Sequence, residues 1–123
     1  MSGYHEPVEE MQQQDRDFSR ALNSMKEEIE AVDWYHQRVA TTTDPSLKAV
    51  LEHNRNEEIE HACMLLEWLR RNMEPWDEQL RTYLFTQLPI TEIEGGETGD
   101  AQEAAPGAAS TTSGVLNIGS LRK

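Results

Sequence analysis

The sequence predicts an all-α chain: an antiparallel two-helix hairpin, a short third helix and a C-terminal tail expected to be disordered. Three observations carry this. Apolar residues recur at steps of three and four over two long stretches. A connection of about four or five turn-forming residues separates those stretches, which makes them antiparallel neighbours. Residues 95 to 114 hold no Leu, Ile, Val or aromatic residue.

The first stretch runs through Val8, Met11, Phe18, Leu22, Met25, Ile29, Val32 and Val39, with no Pro or Gly between Val8 and Thr43. Thr41, Thr42 and Thr43 are poor helix formers, so the first helix is expected to end near Ala40. Asp44-Pro45 reads as an N-cap followed by proline at the first helical position. The second helix is expected from about Pro45 to Met73, with an apolar stripe at Leu47, Leu51, Leu65, Trp68 and Leu69. At ~1.5 Å per residue the two helices would be roughly 50 and 43 Å long. Pro75 interrupts the pattern, and Trp76, Leu80, Tyr83 and Leu84 mark a third helix to about Thr86. Pro89 ends the helical signal. The organisation read from this is a helical hairpin domain over 1–94, a flexible linker over 95–114 and an apolar terminal peptide over 115–123. The linker composition buries too little apolar surface to offset its ordering entropy.

The chain has 123 residues, 23 of them acidic and 11 basic, for a formal net charge of -12. A phosphate backbone needs a basic surface, so nucleic acid is not an expected partner. Cations are compatible with this charge, although acidic surfaces are most often only solvated. A single cysteine, Cys63, makes an internal disulfide impossible, which points to a reducing compartment. Met1 to Val8 lack the basic-then-apolar pattern of a secretory leader. No apolar run approaches the ~20 residues that span a bilayer, so no membrane partner is expected. A folded part of about residues 7 to 92 has difficulty building its own core, which favours a homo-oligomer.

The informative anomaly is polar. Continuing the second helix from Leu51 in steps of three and four gives Asn54, Glu58, His61, Leu65 and Trp68. In the first helix the line Ala21, Met25, Glu28, Val32, Tyr35, Val39 is apolar except at Glu28. An ionised carboxylate on an apolar seam is costly unless it is paired or bound to a metal. Glu58 and His61 form a Glu-x-x-His pair, whose side chains point the same way from adjacent turns. In di-iron bundles two helices each supply a Glu and two others each supply a Glu-x-x-His. This chain holds half of that set, so a twofold dimer would gather two Glu28, two Glu58 and two His61 around one centre. Oxygen ligands with one imidazole per metal suit iron or manganese.

Plainer readings stand beside this one. A Glu-x-x-His pair arises often by chance on charged helices. Glu57 with His61 is another possible pair, but Glu57 points about 100° away from the stripe. Glu27 and Glu30 lie off the Glu28 line and read as a solvated face. His5 and His53 are expected to be exposed, and His36 to be packed near the end of the first stripe. Cys63 and Met64 read as packing residues, and Trp34 and Tyr35 as core.

Four segments carry a family resemblance. They are Glu27-Glu28-Ile29-Glu30-Ala31-Val32-Asp33-Trp34-Tyr35, His53-Asn54-Arg55-Asn56-Glu57-Glu58-Ile59-Glu60-His61-Ala62, Leu66-Glu67-Trp68-Leu69-Arg70-Arg71-Asn72 and Leu80-Arg81-Thr82-Tyr83-Leu84-Phe85. Together they resemble the encapsulated ferritins over about residues 5 to 94. The tail Leu116-Asn117-Ile118-Gly119-Ser120-Leu121-Arg122 looks like an encapsulin cargo-loading peptide, with one extra residue, Lys123. The resemblance implies a hairpin that dimerises into a ferritin-like four-helix bundle, with dimers joined in a ring of ten. It implies a ferroxidase whose ligands match Glu28, Glu58 and His61, forming a di-iron centre between subunits. It implies outer metal-entry carboxylates at Glu27 and Glu30, able to take calcium or another divalent cation. Trp34 matches the tryptophan beside the site, and Tyr35 falls on the Glu28 line two turns away. Iron(II) would be oxidised, with dioxygen as the expected oxidant, and stored as a mineral in an encapsulin shell in a prokaryotic cytoplasm. Leu116, Ile118 and Leu121 would dock to that shell.

Overall fold

The computed structural model describes residues 4–95. The expectations for the tail, namely its disorder and docking through Leu116, Ile118 and Leu121, lie outside those residues. The chain divides into two units, 1–76 and 77–123.

The first unit is the expected hairpin. A single 3₁₀ turn, Val8–Glu10, precedes α1, Gln13–Thr41, and α2, Pro45–Asn72. The spacing of Val8 and Met11 places the start of the first helix too early. Met11 and Gln12 are extended, and the helix begins only at Gln13. Two side chains from the first turns of α1 fix that entry. The Asp15 carboxylate accepts from the Gln12 N–H at 3.2 Å, which satisfies a donor and places negative charge at the positive end of the helix. Arg16 Nη1 donates to the Met11 carbonyl at 2.7 Å and to the Val8 carbonyl at 3.3 Å.

The turn between the helices is made as the sequence implies. Thr42 N–H and Oγ1 both donate to the Arg38 carbonyl, at 2.9 and 2.6 Å, and close α1. Asp44 is extended and its carboxylate accepts from the Leu47 N–H at 2.8 Å, with Pro45 at the first helical position. Such a cap stabilises a helix by about 1 kcal/mol. Three residues, Thr42 to Asp44, thus reverse the chain and lay α2 against α1.

The hairpin's own core is thin. Among the described residues of this unit the buried apolar side chains are Ala21, Val39 and Leu69, the last with 0% exposure. Phe18 and Trp68 meet edge to face with ring centroids 6.2 Å apart, a geometry that aromatic quadrupoles favour. Large apolar residues including Ile29, Trp34, Val50, Ile59 and Met64 stay exposed. Two long amphipathic helices leave uncovered whatever faces away from their single mutual seam.

The short third helix, α3, covers Glu74–Tyr83 and crosses from the first unit into the second. It stops short of the expected Thr86. Leu84 N–H closes it on the Leu80 carbonyl at 2.9 Å, and Phe85 then adopts φ 62, a left-handed conformation that ends the helix. Pro89 does not end the helical signal, contrary to expectation. It caps a one-turn helix, α4, over Ile90–Ile93, where proline's fixed φ and missing N–H suit a helix start. Ile93 is buried. No helix among the described residues is long and apolar enough to cross a membrane.

Candidate metal centre

Glu28 lies midway along α1, and Glu58 and His61 lie on adjacent turns of α2. Helical spacing aims all three toward the seam. Each offers one ligand atom, and these atoms lie within 4.8 Å of one another. His61 Nδ1 is 3.3 Å from Glu58 Oε1 and 3.6 Å from Glu28 Oε1. All three are half-buried, which leaves the cluster open on one side.

The protons are distributed unevenly. A hydrogen bond to Glu58 favours the protonated form of Glu28, and partial burial adds to this, so its carboxyl is pushed above 4.5 against the opposing pull of His61. Glu58, which accepts that hydrogen bond, is held below 4.5, with His61 lowering it further. The hydrogen bond to Glu58 raises His61 above 6.5, although burial opposes it. Without a cation the cluster therefore relieves its like-charge repulsion by holding protons. A cation would displace them, because metal ligands must be deprotonated. Two carboxylates and an imidazole make a hard donor set of the kind that iron and manganese favour. Three donors from one chain leave half of an octahedral shell open.

The remaining candidates sit elsewhere. Glu57 faces His61 Nε2 at 3.9 Å and His53 Nε2 at 3.7 Å, outside the three-residue group. Glu27 and Glu30 are exposed. Trp34, read from the sequence as core, is instead 51% exposed, on a face that the single hairpin seam leaves uncovered. Tyr35 is half-buried, with the Arg38 guanidinium 5.4 Å from its ring centroid. His5 and His53 are exposed as expected.

Three further expectations need correction. His36 is not packed. It is exposed, and its Nδ1 lies 3.1 Å from Nη1 of Arg55, a cross-helix contact that the sequence reading missed. Arg55 sits three residues before Glu58, so its place on the inner face of α2 was the available signal. Cys63 and Met64 are likewise exposed rather than packed, because the faces carrying them are covered by nothing within one chain. Cys63 lines an apolar groove of about 270 Å³ with Met25, Ile29, Val32, Ile59, Ala62 and Leu66.

A family model described as EncFtn-like matches residues 3–87, which include all of α1, α2 and α3. This chain belongs to the EncFtn-like family. It is 63% identical over 118 residues to a "Ferritin-like protein" of Thermotoga maritima, covering 96% of each chain. It is 54% identical over 121 residues to an "Encapsulated ferritin-like protein" of Rhodospirillum rubrum, covering 96% of this chain and 86% of that one. Its fold matches the crystal structure of a Nitrosomonas europaea protein with a TM-score of 0.70 and 54% identity, over 72% of this chain and 98% of that one. The ferritin-like helical fold expected from the sequence is thereby shown for this EncFtn-like chain.

Proposed function

We propose that this EncFtn-like chain is a ferroxidase, which takes iron(II) as its substrate at a site completed by a second copy. The observation that carries the reading is the cluster itself: Glu28, Glu58 and His61, with ligand atoms within 4.8 Å of one another. A twofold partner supplies the same three residues and doubles the set to four carboxylates and two imidazoles. That set neutralises two divalent cations and gains electrostatically as iron charge rises on oxidation. Glu28 and His61 give up their protons as iron enters, and Glu58 presents an ionised carboxylate. Electrons pass to an oxidant, for which dioxygen is the proposed acceptor.

The family membership supports the wider setting of this reading. The assembly is a ring of ten that acts inside an encapsulin shell in a prokaryotic cytoplasm. The exposed Glu27 and Glu30 attract iron toward the site and hold calcium or another divalent cation at the outer face. Trp34 and Tyr35 flank the site. Residues 1–94 carry the chemistry, 95–114 act as a tether, and Leu116, Ile118 and Leu121 dock to the shell.

The deciding experiment follows iron(II) oxidation in air by absorbance, with the size of the active species measured in parallel. Glu28→Ala, Glu58→Ala and His61→Ala are expected to lose most turnover while keeping helix content, and Glu57→Ala to keep turnover. Parental rates in all three cluster variants, or a fully active monomer, would refute the site.

A further inference from the structure

The apolar stripe of α2 is interrupted by Asn54, Glu58 and His61, and the cluster uses only the last two. Asn54 stands one turn before Glu58 on that stripe and is half-buried. Asparagine is a poor helix former, because its amide competes for nearby backbone groups. Asn23, Asn56 and Asn72 each use their side chains within their own helix. Among the described asparagines, Asn54 alone makes no side-chain hydrogen bond within the chain.

Glu58 needs a donor at that place once the cluster holds a cation. Side chains on an α-helix lean toward its N-terminus, so Glu58 leans over the turn that carries Asn54. In the structure Glu58 accepts a hydrogen bond from Glu28, and its Oε1 lies 3.3 Å from His61 Nδ1. As ligands, Glu28 and His61 turn to the cation, and Glu58 loses both partners. One Glu58 oxygen then faces the cation. The other is left without a donor on a side chain only 24% exposed, which is a costly state. Arg55, three residues before Glu58, is already held. Its Nη1 lies 3.1 Å from His36 Nδ1, and its Nε and Nη2 donate to Asn56 Oδ1 at 3.2 and 3.1 Å. The neighbouring Glu57, Ile59 and Ala62 carry no side-chain donor.

We propose that Asn54 is a positioning residue of the metal centre: its carboxamide Nδ2–H donates to the Glu58 oxygen that faces away from the cation. The bond fixes the rotation of the carboxylate, and with it the lone pair that reaches iron(II). The proposal rests on the reading of Glu28, Glu58 and His61 as a metal site. An amide and a carboxylate at i and i+4 on one helix face are neighbours that can form such a bond. Ligating carboxylates are themselves hydrogen-bonded by an outer partner of this kind. A neutral donor suits the place better than a guanidinium, since it holds the carboxylate without repelling the incoming positive charge. The other role open to a polar seam residue is to set helix register in an assembly. The two roles differ in what they do to metal binding.

Cobalt(II) is the probe, because its visible bands report the shape of its ligand shell. Asn54→Leu in the full chain keeps the branched shape of the side chain and removes its donor. Its cobalt(II) affinity should fall roughly ten- to a hundredfold, the usual effect of losing an outer partner. Helix content and assembly size should stay parental, and the visible bands at saturation should shift as Glu58 turns. Asn54→Gln restores the donor on a longer arm and should recover most of the affinity and the parental bands. Parental affinity or parental bands in Asn54→Leu overturn the proposal. A changed assembly size in place of an affinity loss overturns it too, and assigns Asn54 to register. So does a Gln variant as weak as the Leu variant. The metal-site reading fails on a different result, namely Glu28→Ala, Glu58→Ala and His61→Ala binding cobalt(II) as tightly as the parent.

Discussion

Binding of a divalent cation by this protein should expel protons in an amount that the cluster geometry fixes. The perturbation is pH, with manganese(II) as a redox-silent probe. Glu58 Oε1 lies 3.3 Å from His61 Nδ1, and this hydrogen bond raises the imidazole above 6.5. At pH 6.5 more than half of the His61 side chains are therefore protonated without metal. Each subunit should then release more than half a proton on binding, and nearer one as pH falls toward 5.5. In the proposed two-subunit site a completed pair would release twice as many. By mass action the affinity per cation falls about tenfold for each unit of pH below the His61 titration. The fall steepens as pH drops through the titration of Glu28, which is raised above 4.5 and adds a second proton per subunit. Glu58 is lowered and adds none until lower pH. Isothermal titration calorimetry in buffers of different ionisation enthalpy counts these protons directly. His61→Gln should abolish the release near pH 6.5. Binding without proton release there, or undiminished release in the Gln variant, would refute this account of the cluster.

Two further outcomes follow from the fold and the sequence. Leu69 of α2 is fully buried, so Leu69→Ala should cost about 2–5 kcal/mol of stability, read by urea unfolding at fixed protein concentration; a change within error would mean the hairpin is held elsewhere. Deleting residues 115–123 should leave iron(II) oxidation intact and abolish packaging into co-expressed encapsulin shells, measured as cargo co-purifying with shells, and unchanged loading would remove the docking role proposed for Leu116, Ile118 and Leu121.

The hairpin was legible in the sequence because its signals are local. Steps of three and four, the Asp44-Pro45 cap and the threonine run each act within a turn or two. Glu28, Glu58 and His61 stood out because each interrupts an apolar line, and the structure brings the three together. The errors fall where the deciding contacts do not follow periodicity. Val8 and Met11 continue the apolar spacing, yet Met11 is extended and its carbonyl takes the Arg16 side chain. Phe85 ends α3 in a conformation that no glycine or asparagine announced. Pro89 served as a start rather than a stop. His36 reaches Arg55 through two long side chains, a pairing invisible to a stripe. Cys63 and Met64 read as core because both are apolar in character, yet nothing within one chain covers the faces that carry them.

A hairpin with three buried apolar side chains has a consequence for kinetics. Its contacts run between two helices joined by three residues, so the chain reverses quickly and locally, on the microsecond-to-millisecond scale of helical folds. Burying the remaining apolar surface needs an encounter between separate molecules, and the rate of that step depends on the square of chain concentration. A slow trickle of synthesis leaves solitary hairpins exposed to proteases and holdases, while a burst drives pairing before either can act. On the proposed two-copy site, the time at which working sites appear is then set by how fast the chain is made rather than by how fast it folds.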